Sequence, residues 1–272
     1  SDMVRTAISE KADIIFSGAG LPLDLPSYLR EDSTTKLVPI VSSARAARVI
    51  CEKWKANYDY LPDALVVEGP KAGGHLGYKR EQIDNADYSL ERIVPEVVSE
   101  VGRYEELYGR RIPVIAAGGL YTGEDIYRIM RLGATGVQLG SKFVTTEECD
   151  ASPTFKQTYI DSSKDDIEII ASPVGMPGRA IGGEFIRRVK EGLMRPKKCP
   201  FHCIKTCDYT KSPYCIIMAL YNAAKGNLSR GYAFCGANAY MSKKITSVRE
   251  TIESLKSEFA AACRRNGQTA VL

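Results

Sequence analysis

Residues 114–141 read VIAAGGLYTGEDIYRIMRLGATGVQLGS. The run opens as an apolar strand that stops at Gly118-Gly119, continues as a short amphipathic helix, and closes as a second apolar strand that stops at Gly140-Ser141. Two successive parallel strands that both end in glycine set backbone N–H groups side by side. That is the geometry with which a parallel α/β barrel cradles phosphate.

Working outward, the same alternation recurs upstream. Strand candidates are Asp13–Ser17, Leu37–Val41, Ala64–Glu68, Pro113–Ala117 and Gly136–Leu139. Helical windows fall at Ala44–Tyr58, Leu90–Tyr108 and Gly123–Leu132, with a helix-like stretch, Met3–Lys11, ahead of the first strand. Buried-type strands alternating with helices define a parallel sheet. Five strands do not close a barrel of eight. Either the sheet is open and doubly wound, or about three strands of a barrel precede residue 1.

Composition fits this class. The 272 residues are 44% hydrophobic and 26% charged, with a net charge of +4, so the chain can bury a sizeable core. Basic residues are interleaved with acids, which argues against a nucleic-acid partner. No apolar run reaches membrane-span length, and SDMVRTAISEKAD is no signal peptide, so the expected location is cytoplasmic and the eight cysteines are expected to be reduced.

After Ser141 the pattern changes. Helical stretches Thr154–Ile160 and Glu184–Glu191 flank the turn-rich SPVGMPGRAIGG, a cysteine-dense region runs from Cys199 to Cys235, and an amphipathic helix near Ile245–Arg264 closes the chain. The expected organisation is therefore a barrel portion over residues 1–145 and a mostly helical cap or extension over 146–272, with the Cys-rich segment at 199–235.

The chemistry concentrates in EGPKAGGHLGY, residues 68–78, directly after the strand ALVVE. Barrel enzymes place catalytic groups at that carboxyl end of a strand. Gly73 and Gly74 are expected to let the backbone approach a planar ligand, and His75 to project into the site. An imidazole titrates near neutrality and can take a proton from a carbon acid or hydrogen-bond an oxyanion. On spacing alone, a histidine that merely caps or braces the loop fits equally.

FSGAG at 16–20, EGPKAGGHLG at 68–77, PVIAAGGLYTGEDI at 113–126 and GVQLGSKFVTTEE at 136–148 together resemble the nitronate monooxygenase (2-nitropropane dioxygenase) family. These are FMN-binding (β/α)8 TIM barrels related to enoyl-acyl-carrier-protein reductase II. The resemblance is specific from about Ala12 to Phe143 and looser through PVGMPGRAI. It implies His75 as catalytic base, Gly73 and Gly74 against the FMN, and Gly118, Gly119, Gly140 and Ser141 at its phosphate, with Ser17 and Gln138 as further contacts. For Gln138 an ordinary polar strand end fits as well. Family members usually begin with a strand ending in GGM and two further strands. None of these precedes Ser1, so the expected fold is a TIM barrel lacking its N-terminal strands in this chain.

The implied activity is a flavoprotein oxidoreductase reaction. A nitroalkane or nitronate and molecular oxygen, the expected small-molecule partners, yield a carbonyl compound and nitrite, with His75 as base and no metal required. A homo-oligomer is compatible with this reading. Two alternatives stand: an FMN-dependent enoyl-acyl-carrier-protein reductase using NAD(P)H, and a flavin-binding module without catalysis. Separately, Cys199, Cys203, Cys207 and Cys215 in CPFHCIKTCDYTKSPYC, with Cys235 and His202 nearby, are candidate thiolate ligands of zinc or an iron–sulfur cluster. Their C-x3-C-x3-C spacing matches neither zinc knuckles nor ferredoxin runs, and cysteines on one helical face also behave as small hydrophobes. Trp54 and Tyr58 are expected to pack a helix, and Lys71 to be solvated or to neutralise ligand charge.

Overall fold

The computed structural model describes residues 2–203 and 207–268. Its strands are β1 (Ile14–Ser17), β2 (Lys36–Val41), β3 (Leu65–Glu68), β4 (Gly74–His75), β5 (Val114–Ala117), β6 (Gly136–Gln138), β7 (Ile167–Ala171) and β8 (Pro177–Ile181). The helices are α1 (Asp2–Ser9), α2 (Ala44–Tyr58), α3 (Leu90–Tyr108), α4 (Gly123–Met130), α5 (Ser141–Val144), α6 (Pro153–Asp161), α7 (Glu184–Lys190), α8 (Ile216–Ala224) and α9 (Val248–Arg265). They form two compact units. One comprises residues 1–70, 84–117 and 125–138, the other 71–83, 118–124 and 139–272.

The first unit is built on a five-stranded parallel sheet in the order β1-β2-β3-β5-β6. The strands follow one another across the sheet in sequence order, as the staves of a (β/α)8 barrel do. A doubly wound sheet reverses direction at a switch point, and this one does not. The α/β barrel-type reading is therefore the one the topology supports. β3 is buried along Leu65, Val66 and Val67 because it is covered on both faces, which is why it reads as a continuous apolar run.

Its helices follow from their sequence signals. α2 starts where the Ser43 hydroxyl accepts the Ala46 N–H, and it buries Ala47, Ile50, Cys51 and Trp54 at helical spacing. It stops at Asp59, whose φ of +50° is left-handed. Trp54 is fully buried and its indole N–H donates to the Pro22 carbonyl at 3.0 Å, so the packing reading of this residue holds. α3 stops at Gly109 in the same left-handed conformation.

The second unit holds a three-stranded antiparallel sheet, β4-β8-β7. The sequence reading had no strands here. β7 and β8 form a hairpin in which Ile167 faces Ile181 and Ala171 faces Pro177. The signal for it was present: an apolar run, IEIIA, meets the turn formers Ser172-Pro173-Val174-Gly175, and Gly175 takes a φ of +82°. Helix α8 was also unexpected, because its residues lie against the cysteine-rich segment and read as part of it. Around the hairpin, Ile170, Ala180, Phe185, Tyr214, Ile216 and Tyr232 close a core. Helix α9 begins with a capping box between Ser247 and Glu250. Among the described residues no helix is long and apolar enough to cross a membrane.

Candidate active site

Seven of the nine candidate residues fall in the second unit: Gly73, Gly74, His75, Gly118, Gly119, Gly140 and Ser141. The other two belong to the first unit, Ser17 half-buried at the end of β1 and Gln138 exposed at the end of β6.

His75 is held by the hairpin. β4 pairs antiparallel with β8, so that Gly74 faces Arg179 and His75 faces Gly178, and the Leu76 N–H donates to the Pro177 carbonyl at 2.9 Å. The imidazole Nε2 lies 2.7 Å from the Ser172 hydroxyl. Ser172 itself sits at the mouth of the hairpin turn, where its N–H donates to the Met176 carbonyl and its carbonyl accepts the Gly175 N–H. The Phe234 ring meets the imidazole edge-on, with centroids 5.0 Å apart. The ring is thus fixed on two sides. Partial burial holds the His75 pKa below its ordinary 6.5, so the imidazole is neutral at pH 7 and able to accept a proton.

The glycine loops are knitted by a segment that sequence reasoning did not single out, Cys235-Gly236-Ala237-Asn238. The Ala237 N–H donates to the Lys71 carbonyl at 3.1 Å and the Gly236 N–H to the Ser141 hydroxyl at 2.7 Å. The Asn238 amide donates to the Gly119 carbonyl at 2.7 Å. Arg179, buried on β8, donates to the Ala72 carbonyl at 2.7 Å. Three bonds therefore tie the loops after β3, β5 and β6 to a segment about a hundred or more residues further on, and Arg179 of β8 adds a fourth to the loop after β3. The only sequence hint was the glycine and asparagine in AFCGAN, a stretch that drew notice for its cysteine.

The glycines serve different ends. A Cβ on Gly73 would stand 2.6 Å from the Cys235 carbonyl carbon and 2.7 Å from the Gly236 nitrogen. Gly73 is therefore required by backbone packing within the protein. Gly74 has a φ of +74° and nothing within 4 Å of its missing Cβ, so its face is open. Gly118 and Gly119 have φ of +95° and +81°, conformations that L side chains rarely adopt. Gly140 is open, again with nothing within 4 Å. Its neighbour Ser141 accepts the Gly236 N–H, which leaves the hydroxyl proton free to donate.

At the carboxyl end of β3, burial raises the Glu68 pKa from 4.5 to about 7. The thiols at Cys199, Cys203, Cys207 and Cys215 are all free, and among the described residues no three His, Cys, Asp or Glu side chains are grouped to hold a metal ion.

A parallel α/β sheet in barrel order, glycine-ended strands and a braced histidine on an AGGH loop define a protein of the α/β-barrel type. The chain belongs to the nitronate monooxygenase family, whose profile matches residues 2–258. It is 33% identical over 138 residues to a protein from Staphylococcus saprophyticus named "Probable nitronate monooxygenase", a match covering 50% of this chain and 36% of that one. It is 28% identical over 191 residues to a Mycobacterium tuberculosis protein named as a hydroxy-methyl-oxo-octahydro-indene-carboxyl-CoA dehydrogenase, covering 70% of this chain and 47% of the other. The chain thus spans between about a third and a half of these relatives. Among solved structures, FabK from Thermotoga maritima aligns with a TM-score of 0.74 at 27% identity over 98% of this chain and 74% of FabK. Nitroalkane oxidase from Streptomyces ansochromogenes aligns with a TM-score of 0.70 at 22% identity over 97% of this chain and 68% of that chain, a likeness of fold.

Proposed function

We propose that this chain carries the site of a flavin-dependent oxidoreductase that oxidises nitronates or nitroalkanes with molecular oxygen. The observation that carries the reading is His75: a neutral imidazole, half-buried, with its ring fixed by Ser172 and Phe234. When Nε2 donates to the Ser172 hydroxyl, Nδ1 keeps its lone pair and takes the α-proton of a nitroalkane. Fixing the ring beforehand removes the cost of orienting it during proton transfer.

The residues fit FMN as the flavin. Gly74 and Gly140 present open backbone where any side chain would project, and the left-handed Gly118-Gly119 pair is the kind of turn that aims successive N–H groups at phosphate. Ser141 supplies a hydroxyl proton, because its oxygen already accepts from Gly236. Bound there, FMN supplies the electron transfer from the substrate carbanion to oxygen, chemistry that no side chain of the chain provides. The protein's part is to bind the phosphate, position the flavin and hold the proton acceptor.

The test is His75→Asn assayed on both substrate forms. Activity on neutral nitroalkane falls by roughly 10²- to 10⁴-fold, the usual worth of a positioned general base, while activity on preformed nitronate changes far less. Equal losses on the two would overturn proton abstraction. The alignment with FabK across 98% of the chain favours one second reading, an enoyl-thioester reductase on the same flavin site. Rapid flavin bleaching by NADH or NADPH, with no turnover of nitronate, would select it.

A further inference from the structure

One stretch of the chain departs from its interleaved charge. Residues 192–207 contain no Asp or Glu and carry Arg195, Lys197 and Lys198. These three border an open cleft of about 400 Å³ in the second unit, to which helix α7 adds Arg188 and the chain beyond α8 adds Arg230. Five cationic side chains thus line one space, and among the described residues no carboxylate does. Of the five, Arg188 faces Glu184 at 3.9 Å, and the other four make no ion pair within the described residues. Like charges gathered in this way repel one another, and a cleft so lined focuses a positive potential on whatever enters it.

The cleft is more than a cationic patch. Phe185, Met194 and Met218 give it an apolar side. Phe185 is buried and meets the Tyr214 ring edge-on at 5.3 Å between centroids, so this side is fixed by the core beneath it. Pro196 and Pro200 also line the cleft, and their rings lock φ within the segment that presents Arg195, Lys197 and Lys198. Asn222 lies one turn beyond Met218 on the same face of α8, where its amide offers both a donor and an acceptor.

We propose that this cleft binds a nucleoside polyphosphate, with the arginines and lysines on the phosphates and the base against Phe185, Met194 and Met218. Its volume falls in the range of small-ligand pockets, roughly 300–1,000 Å³. Guanidinium forks match paired phosphate oxygens, and lysines add point charge. A single carboxylate or monophosphate would leave most of the five cations unpaired, whereas a polyphosphate chain carries several negative charges. An inorganic polyanion would in turn leave the apolar side empty, and a nucleoside supplies the flat aromatic body that covers it. A free nucleotide and the nucleotide end of a larger metabolite such as coenzyme A share this chemistry. The cleft shares no lining residue with the His75 site or the glycine loops, so the assignment is independent of the flavin reading.

The experiment is isothermal titration of the full chain with ADP, free of magnesium so that the phosphates stay unchelated, with and without saturating FMN. Saturable binding of one ADP per chain is expected, with the same affinity in both cases. Arg195→Gln and Lys198→Gln, both at exposed positions, each weaken it by roughly tenfold, the worth of one charge-assisted hydrogen bond. Lys164→Gln, exposed but outside the cleft, leaves it unchanged. Met218→Ser weakens ADP and spares inorganic tripolyphosphate, because only the nucleoside uses the apolar side. Coenzyme A binding more tightly than ADP identifies the nucleotide as one end of a larger metabolite, and equal or weaker binding identifies the free nucleotide. The absence of saturable heat at millimolar ADP would overturn the assignment. So would tripolyphosphate binding as tightly as ADP, displacement of ADP by FMN, or an affinity that the double Arg195→Gln, Lys198→Gln variant retains.

Discussion

Substituting Gly73 by alanine tests whether this glycine is held for packing or for a ligand. The new Cβ would lie 2.6 Å from the Cys235 carbonyl carbon, 2.7 Å from the Gly236 nitrogen and 2.9 Å from the Cys235 oxygen. The first contact is about 0.8 Å short of ordinary van der Waals distance. The opposing backbone is pinned on both sides, by the Cys235 N–H on the Arg179 carbonyl at 3.0 Å and the Gly236 N–H on the Ser141 hydroxyl at 2.7 Å. It cannot yield without breaking one of those bonds. Overpacking of this kind costs about 1–3 kcal/mol, and a backbone-on-Cβ clash belongs at the upper end. For a chain of this length each kcal/mol lowers Tm by about 2–4 °C, so Gly73→Ala should melt roughly 6–12 °C below wild type. Thermal unfolding followed by circular dichroism, with and without added FMN, reads this directly. Gly140→Ala is the control: its φ of −114° suits alanine and nothing lies within 4 Å of the new methyl. That variant should keep its Tm and lose FMN affinity. A Gly73→Ala protein melting within about 2 °C of wild type, a shift that corresponds to under ~1 kcal/mol, would refute the packing argument.

Three further outcomes follow from the titratable groups and the ring supports. Ser172→Ala removes the Nε2 partner of His75 at 2.7 Å, a hydrogen bond worth about 1 kcal/mol, so turnover of neutral nitroalkane should fall roughly fivefold, with nitronate turnover spared; an unchanged ratio of the two rates contradicts an orienting role. Because burial lowers the His75 pKa, the base form persists through pH 6.5 and the rate on neutral nitroalkane should decline only below that value; a midpoint above it, in kcat/KM profiles, would mean that the imidazole is charged in the free protein. The Glu68 carboxyl, raised from 4.5 to about 7 by burial, favours the protonated form in the folded chain, so its contribution is fully present below pH 4.5 and is lost as pH rises to 7. Glu68→Gln should therefore gain up to about 3 kcal/mol relative to wild type at pH 8 and nothing at pH 4, and parallel denaturation curves at the two pH values would contradict the assignment.

What the sequence made legible was whatever depends on local patterning. The parallel strands were visible because burial on both faces forces continuous apolar runs such as Leu65-Val66-Val67, and α2 and α3 because their buried residues recur at helical spacing between a serine and a left-handed stop. The hairpin β7–β8 was missed because its apolar residues lie in a short run beside a turn of proline and glycine, a pattern shared by loops. His75 was legible as a chemical group, but its partners Ser172 and Phe234 were not. Their roles exist only through pairing across 97 residues in one case and a ring contact in the other, and no local pattern encodes such contacts. Ser17 and Gln138 were named on resemblance alone, and the structure supplies strand-end positions for them and no more.

The two adjacent glycines of AGGH answer separate physical demands, and this changes what the motif reports. Gly74 is constrained by its own dihedral, with a φ of +74° and open space beyond it. Gly73 is constrained by Cys235 and Gly236, which approach so closely that no side chain fits between. In this chain the first glycine position is closed to a side chain by a downstream segment that folds back onto the loop. The same segment bonds Lys71, Gly119 and Ser141, so the loop that presents His75 and the loops at Gly119 and Ser141 share one support. Damage to that support, for example Asn238→Ala, which removes the bond to the Gly119 carbonyl, should weaken FMN binding without touching the histidine. The reverse substitution at His75 should leave FMN affinity in place while removing proton transfer. Separate losses of this kind, measured by flavin titration and by nitroalkane turnover, are expected only if the histidine acts on substrate and the cradle on cofactor.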